Sequence, residues 1–508
     1  MSFQTQHETR GSGRRRGGSR SGGGFSPRFG ALLQGGLVLL LCLTLVWAPV
    51  PMGSNRPYYL GLLGLLAGGF LIAWGIAAAA GAVRVSHRVW SLWPAFAAFL
   101  IAMGFAVFQV IDLRGVDSVL GTNFAQEAGS PFWKLASDSL GQPLPSYVTV
   151  NPANAYPAIL KTVLYAAVFF LTFSLARHAA SARAILLVIA LSGAICVAVG
   201  FLQLASGLNF GGALADEEGK EMFTRFSSTF ANPNHFATYA GIALVAALGL
   251  THDSLTNGIV LNRGGDIAFR TTLNTVFGPA LPGIASALVL AGAVVLSASR
   301  GGLLAVAIGC AVWAVVLLIA SRSKQGGGTS AHSIVLLSIF LLGGAVFSSA
   351  SFLNKLNVKG LDDNARVEIF ERTVDAIYAS PVLGNGYGAF INYYPLYARD
   401  IAPGTVNAAH NDYLETLSDL GVIGGGALIF APLYLAFLAG RGAFRRRKGR
   451  VFGAVAAGAA SLCAVHALFD FSLQIPAVGV LLFATLGVGV AQSWRGEDED
   501  GGDPRMAA

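Results

Sequence analysis

About twelve apolar stretches, each near the ~20 residues that a bilayer-crossing helix needs, run through this 508-residue sequence and leave it few other ways to fold. They fall at 31–50, 58–82, 90–111, 155–176, 184–206, 233–250, 277–297, 301–320, 332–352, 419–440, 451–470 and 474–494. Within each, apolar residues are continuous instead of alternating with polar ones, which predicts helices and not the strands of a barrel. With 54% hydrophobic and 12% charged residues, and a mean hydropathy of +0.61, the chain is too apolar for a soluble globular protein. The expected fold class is all-α: a polytopic integral membrane bundle of about 12 transmembrane helices.

Basic residues predict the orientation. Arg10, Arg14, Arg15, Arg16, Arg20 and Arg28 precede the first span and should hold it with its start in the cytoplasm. Counting from there, the cytoplasmic connections are 82–89, 177–183, 251–275, 321–331 and 441–450, and each carries Lys or Arg. The last reads RGAFRRRKGR, and an odd helix count would place it outside. Both termini are then cytoplasmic. The opposite side receives 112–154, 207–232 and 353–418 together with the short turn at Arg300, and acidic residues such as Asp216, Glu217, Glu218, Asp362 and Glu371 collect there. The net charge of +8 therefore reflects membrane orientation. No basic patch interleaved with aromatics points to nucleic acid, and none is expected as a partner.

The first 30 residues, rich in Gly, Ser and Arg, cannot bury enough apolar surface to fold alone. No small-residue cleavage site follows the first apolar run, so a retained signal-anchor is expected. Cys42, Cys196, Cys310 and Cys463 all fall inside predicted spans and suit packing, not a disulfide framework. Histidines are scattered without metal-ligand spacing, so no metal site and no cofactor is expected.

Three segments concentrate polar chemistry on the outer face. MFTRFSSTFANPNHFATY (222–239) brings Arg225 to a turn in which Asn232, Pro233 and Asn234 suit the cap and first turn of the sixth span. SASRGG (297–302) holds Arg300 at the membrane boundary with almost no loop, and Gly301 and Gly302 would permit a close approach. HNDYLETLSDLGVIGG (410–425) opens with His410, followed by Asn411 and Tyr413. If a helix starts at Asn411 or Asp412, its positive end disfavours imidazolium and leaves His410 a neutral base. Asp412 and Glu415 are rival base candidates. Two fixed cations and a titratable imidazole on one surface suit a lipid bearing a diphosphate.

Between them, Val367, Phe370, Val374 and Ile377 recur at helical spacing opposite Glu368, Glu371, Arg372 and Asp375, predicting an amphipathic helix against the bilayer or the bundle. PVLGNGYGAF then places Gly384, Gly386 and Gly388 in a turn able to offer backbone amides to phosphate. INYYPLY is a candidate interfacial belt or sugar platform.

Taken in order, RFSSTFANPNHFA, SASRGG, DNARVEIFERTVDAI with SPVLGNGYG, and HNDYLETLSDLGVIGG resemble the O-antigen ligase and polymerase superfamily of bacterial envelope glycosyltransferases. The resemblance spans about 185–430 and lies in motif order and topology more than in any single string. It implies a metal-independent, inverting transfer of a glycan from undecaprenyl diphosphate at the periplasmic face of the inner membrane. Arg225 and Arg300 match the arginines associated with the lipid diphosphate, His410 matches the histidine of acceptor activation, and Arg366 matches a recurrent loop arginine. Asn232, Asn234, Gly384, Gly386, Asn411 and Tyr413 are further substrate-binding candidates. The implied partners are the undecaprenyl diphosphate-linked glycan donor, an acceptor that is lipid A-core or another lipid-linked glycan, and membrane lipids. Oligomeric state is left open.

The organisation expected on this basis is a basic tail at 1–30, N-terminal helices at 31–184, a catalytic core at 185–430, C-terminal helices at 431–494 and a tail at 495–508. The 112–154 loop exceeds what the motif core requires and leaves the acceptor open: ligase, polymerase and protein O-glycosylation share one donor chemistry. A flippase or transporter of lipid-linked glycans is the alternative of a different class. It should place charges along a central path, yet the spans carry little beyond Lys161 and Asp470.

Overall fold

The computed structural model describes residues 27–83, 85–207, 225–260, 273–322, 361–398, 406–446 and 448–494. Eleven of the expected spans coincide with apolar helices: α1 (Pro27–Trp47), α2 (Pro57–Ala79), α3 (Trp93–Phe108), α7 (Pro152–Leu175), α8 (Ala179–Ser206), α9 (Pro233–Val260), α10 (Leu281–Leu296), α11 (Arg300–Arg322), α14 (Asp412–Arg445), α15 (Arg450–His466) and α16 (Pro476–Ala491). The expected span at 332–352 lies outside the described residues, as do the tails at 1–26 and 495–508. Short helices α4 (Leu113–Leu120), α5 (Phe124–Glu127) and α6 (Pro131–Leu140) order the first long loop, and α12 (Leu361–Ala379) and α13 (Phe390–Tyr393) order the last. The chain is an all-helical, polytopic membrane protein.

Helix α9 is the axis of the bundle. Every residue from 235 to 249 is buried, and most are small or β-branched, so α8, α10, α11 and α15 can close on it from several sides. Tyr239 of α9 shares a hydrogen bond with Ser192 of α8, satisfying a hydroxyl that would otherwise be stranded in an apolar interior. Helices α11 and α15 approach so closely that a Cβ on Gly309 would lie 2.8 Å from the Gly458 carbonyl oxygen. Small residues at this crossing give the dense contact that holds helices together where no hydrophobic force separates lipid from protein. Because α9 is central and begins at Pro233, the polar turn before it emerges at the middle of one face.

Two expectations need correction. The spacing at 367–377 correctly anticipates a helix, α12, but its fully buried positions are Thr373 and Ala376, while Ile369, Phe370, Val374 and Ile377 are partly buried and Val367, which leads the expected stripe, is 56% exposed. The small side chains of Thr373 and Ala376 allow a close approach to the aromatic cluster of Phe390, Tyr393 and Tyr394, and the Thr373 hydroxyl is satisfied by the Ile369 carbonyl at 2.7 Å. The eleventh span ends at His466 instead of 470, which moves Asp470 out of the helix and into the turn before α16.

Candidate active site

The tight turn between α10 and α11 anchors Arg225. Its Nε donates to the Ser297 carbonyl at 3.1 Å and an Nη donates to Asn234 Oδ1, also at 3.1 Å. Asn234 Oδ1 accepts from Ser299 Oγ as well, at 2.8 Å, while Ser299 Oγ caps α11 by accepting the Gly302 amide at 3.1 Å. Asn232 Oδ1 accepts the Asn234 amide at 2.8 Å, so Asn232 caps α9 with Pro233 at its first position. Asn232 and Asn234 therefore hold the arginine in place. Gly302 serves packing, since a Cβ there would lie 2.7 Å from that of Ala237.

Arg300 is the first residue of α11 and is exposed. A cation at the positive end of a helix gains nothing from the helix dipole, and together they favour an anion. Burial lowers the pKa of Arg225 from its usual value, Arg300 adds to the effect, Asp470 opposes it and Arg366 adds again. Arg225 thus has two other guanidiniums, those of Arg300 and Arg366, in its electrostatic neighbourhood.

His410 stands beside this cationic face. It is held at φ 52, a left-handed conformation costly for a residue with a Cβ. The surroundings impose it from both sides. Glu415 accepts the Ala409 amide at 2.7 Å, and Asn411 caps α14 by accepting the amides of Tyr413 and Leu414, each at 3.0 Å. The Asn411 Nδ2 also donates to the Leu468 carbonyl at 3.3 Å, and the Tyr413 hydroxyl donates to the Ala464 carbonyl at 2.8 Å. Asn411 and Tyr413 accordingly tie the start of α14 to the end of α15.

Turned in this way, His410 places Nδ1 3.6 Å from Asp470 Oδ1, and His235 of α9 places Nε2 3.7 Å from the same oxygen. Both rings meet Phe471 edge-on, with centroids 5.1 and 4.7 Å away. Asp470 is buried. Burial works against its charge, but His235 and His410 outweigh burial, helped by the Phe471 amide, and hold the carboxyl well below the usual carboxylate range. Asp470 and His235 were not among the expected site residues. A lone aspartate in an otherwise apolar run was the available signal.

The rival bases face inward. Glu415 Oε1 accepts from Gln474 Nε2 at 2.8 Å, and Asp412 Oδ2 accepts the Leu473 amide at 3.3 Å, so both carboxylates hold the turn between α15 and α16. The glycine turn likewise does not offer its amides to phosphate. Gly384 donates to the Ser380 carbonyl and Gly386 to the Asp419 carbonyl, both at 3.0 Å, while Tyr387 donates to Gln109 at 2.8 Å and Gly388 to the Asp419 carboxylate at 2.7 Å. Gly384 and Gly386 need positive φ here, and a Cβ on either would overlap Asp419 or Thr149. The turn docks α12 onto the break in α14 at Gly421.

The O-antigen ligase family matches residues 285–429. That stretch is similar to an O-antigen ligase domain. No curated protein is matched by the chain. The matched stretch contains Arg300, Arg366 and His410, whereas Arg225, His235 and Asp470 lie outside it. The fold nevertheless brings both groups to one end of α9. An O-antigen ligase or polymerase-type protein acts on lipid-linked glycans, and a cationic surface next to an imidazole–carboxylate pair is chemically suited to such a substrate.

Proposed function

We propose that the protein is an O-antigen ligase-type glycosyltransferase that moves a glycan from undecaprenyl diphosphate to a hydroxyl of lipid A-core at the periplasmic face of the inner membrane. The observation that carries this reading is the anchoring of Arg225 on the turn that leads into Arg300, with the His410–Asp470 pair at the same end of the bundle. The acceptor oxygen forms its bond to the anomeric carbon while the bond from that carbon to the diphosphate breaks on the opposite side, inverting the centre. Charge grows on the leaving diphosphate, where forked guanidiniums stabilise it. His410 Nε2 takes the acceptor proton, and Asp470 faces Nδ1 and stabilises the imidazolium that results.

Helix ends support the orientation. Arg177, Arg183, Arg441, Arg445 and Arg450 lie at the ends of α7, α8, α14 and α15 that are remote from His410, as the cytoplasmic side of a membrane protein requires. Deleting the gene tests the acceptor. Loss of long-chain glycan from lipid A-core with accumulation of lipid-linked polymer is expected. Accumulation of single lipid-linked repeats would instead make the protein a polymerase with the same donor chemistry.

A further inference from the structure

At the end of the bundle remote from His410, a cavity of about 410 Å³ opens between α3, α14 and the end of α16. Its volume lies within the range of sites that hold small organic groups. Trp90, Trp93, Tyr434 and Trp494 line it with Arg441 and Arg445, and no carboxylate is among the described lining residues. Trp90 and Trp93 are 77% and 65% exposed, which is the setting of indole rings at the level of lipid headgroups. Arg441 and Arg445 are four residues apart on α14 and therefore share one helix face. Both are exposed. Arg88 adds a third cation nearby, its guanidinium 5.9 Å from the centre of the Trp494 ring.

This end is also firmly built. Arg446 donates to the carbonyl and side chain of Gln492 at 2.8 and 2.9 Å, and Gln492 donates in turn to the carbonyls of Ala176 and Arg177 at 2.6 and 2.8 Å. The ends of α7, α14 and α16 are thereby locked together, so the cavity has fixed walls. Tyr434 donates to the Ser91 carbonyl at 3.2 Å, fixing α14 against the lead-in to α3.

A concave, cationic, aromatic-rimmed cavity at headgroup depth selects a ligand with an anionic head and an apolar body. The geometry points to a binding site for the phosphate of an anionic phospholipid, with Arg441 and Arg445 engaging the phosphate oxygens and the tryptophans packing against the glycerol and upper acyl region. This ligand is separate from the lipid diphosphate of the proposed reaction, because Arg300 and His410 lie at the opposite end of their helices.

The test uses the purified full-length protein in detergent, titrated with phosphatidylglycerol, with phosphatidylcholine and with inorganic phosphate. Bound lipid is read by native mass spectrometry, and stabilisation by the thermal unfolding midpoint. Phosphatidylglycerol should bind saturably and in preference to phosphatidylcholine. Arg441→Gln with Arg445→Gln should weaken phosphatidylglycerol binding by about 30-fold, the effect of two basic residues near a charged headgroup, and leave phosphatidylcholine binding unchanged. Arg446, Arg447, Lys448 and Arg450 remain to keep the orientation, and Arg441→Lys with Arg445→Lys, which keeps both charges, should lose much less affinity. Equal binding of the two lipids, or undiminished phosphatidylglycerol binding in the glutamine variant, would overturn the site. Equal stabilisation by inorganic phosphate alone would overturn the lipid assignment in favour of a soluble phosphate.

Discussion

Asp470→Asn separates orientation of the proposed base from binding of the donor. At 3.6 Å, a full carboxylate–imidazolium pair at an effective dielectric of about 20 is worth about 4–5 kcal/mol. The His410 side chain is 28% exposed, so water screens part of this, and about 2 kcal/mol should reach the step in which the imidazole becomes charged. That corresponds to a slowing of about 30-fold. Asparagine preserves shape and the acceptor for the Phe471 amide, now at 2.8 Å, so the fold should survive. The assay is single turnover on purified protein with lipid-linked donor and acceptor, alongside donor affinity measured separately. Turnover should fall while donor affinity changes by less than about twofold, since the arginines are untouched. Combining Asp470→Asn with His410→Gln should add little to His410→Gln alone, because the two groups act as a unit. Near-normal turnover in Asp470→Asn, or a loss confined to donor affinity, would refute the assignment.

Arg300→Ala should abolish transfer at normal membrane abundance, and Arg300→Lys should recover little because a point ammonium lacks the guanidinium fork; full activity in the alanine variant removes Arg300 from the mechanism. His410→Gln should lower turnover by about 10²–10⁴-fold with donor binding kept, and activity should persist in a chelator; loss on chelation with rescue by a divalent cation would undermine stabilisation by arginines alone. Gly386→Ala should destabilise the protein by about 2 kcal/mol or more, since φ is 123 and the new Cβ would sit 2.1 Å from Thr149 Oγ1; an unchanged unfolding midpoint would remove the docking role of this turn. A single cysteine placed near Arg225 should react with an impermeant reagent from the periplasm and one in 441–450 should not, and the reverse pattern would invert the orientation.

Helix positions were legible in the sequence because a span is a local property: its length and continuous apolarity can be read without knowing its neighbours. The caps were legible for the same reason, as Asn232-Pro233 and Asn411 show. What escaped was decided by distant partners. Asp470 reads as one polar residue at the tail of an apolar run until the helix is seen to stop at His466 and the turn carries the carboxylate to His235 and His410. Gly384 and Gly386 read as a phosphate turn until the Ser380 and Asp419 carbonyls are found to accept their amides, with Gln109 and the Asp419 carboxylate accepting the amides of Tyr387 and Gly388. Asp412 and Glu415 read as bases until Gln474 and the Leu473 amide are found facing them.

The site divides between two structural supports, and this division bears on how one chemistry can serve different acceptors. Arg225 is held by the α9 cap and the α10–α11 turn through Asn234, Ser297 and Ser299, and Arg300 follows that turn as the first residue of α11. His410 is held by the start of α14 and by the turn between α15 and α16. The two halves meet at Asp470, which faces His410 from one side and His235 of the buried axis helix α9 from the other. A donor that is the same for ligase and polymerase needs the first support unchanged. An acceptor that differs between them has to be accommodated at the second, around α12, α13 and the lead-in to α14, where described side chains are more exposed than those of α9. Substitutions that change the acceptor without changing donor affinity should therefore cluster on that second support, while any change at His235 or Asp470 should affect the coupling of the two halves.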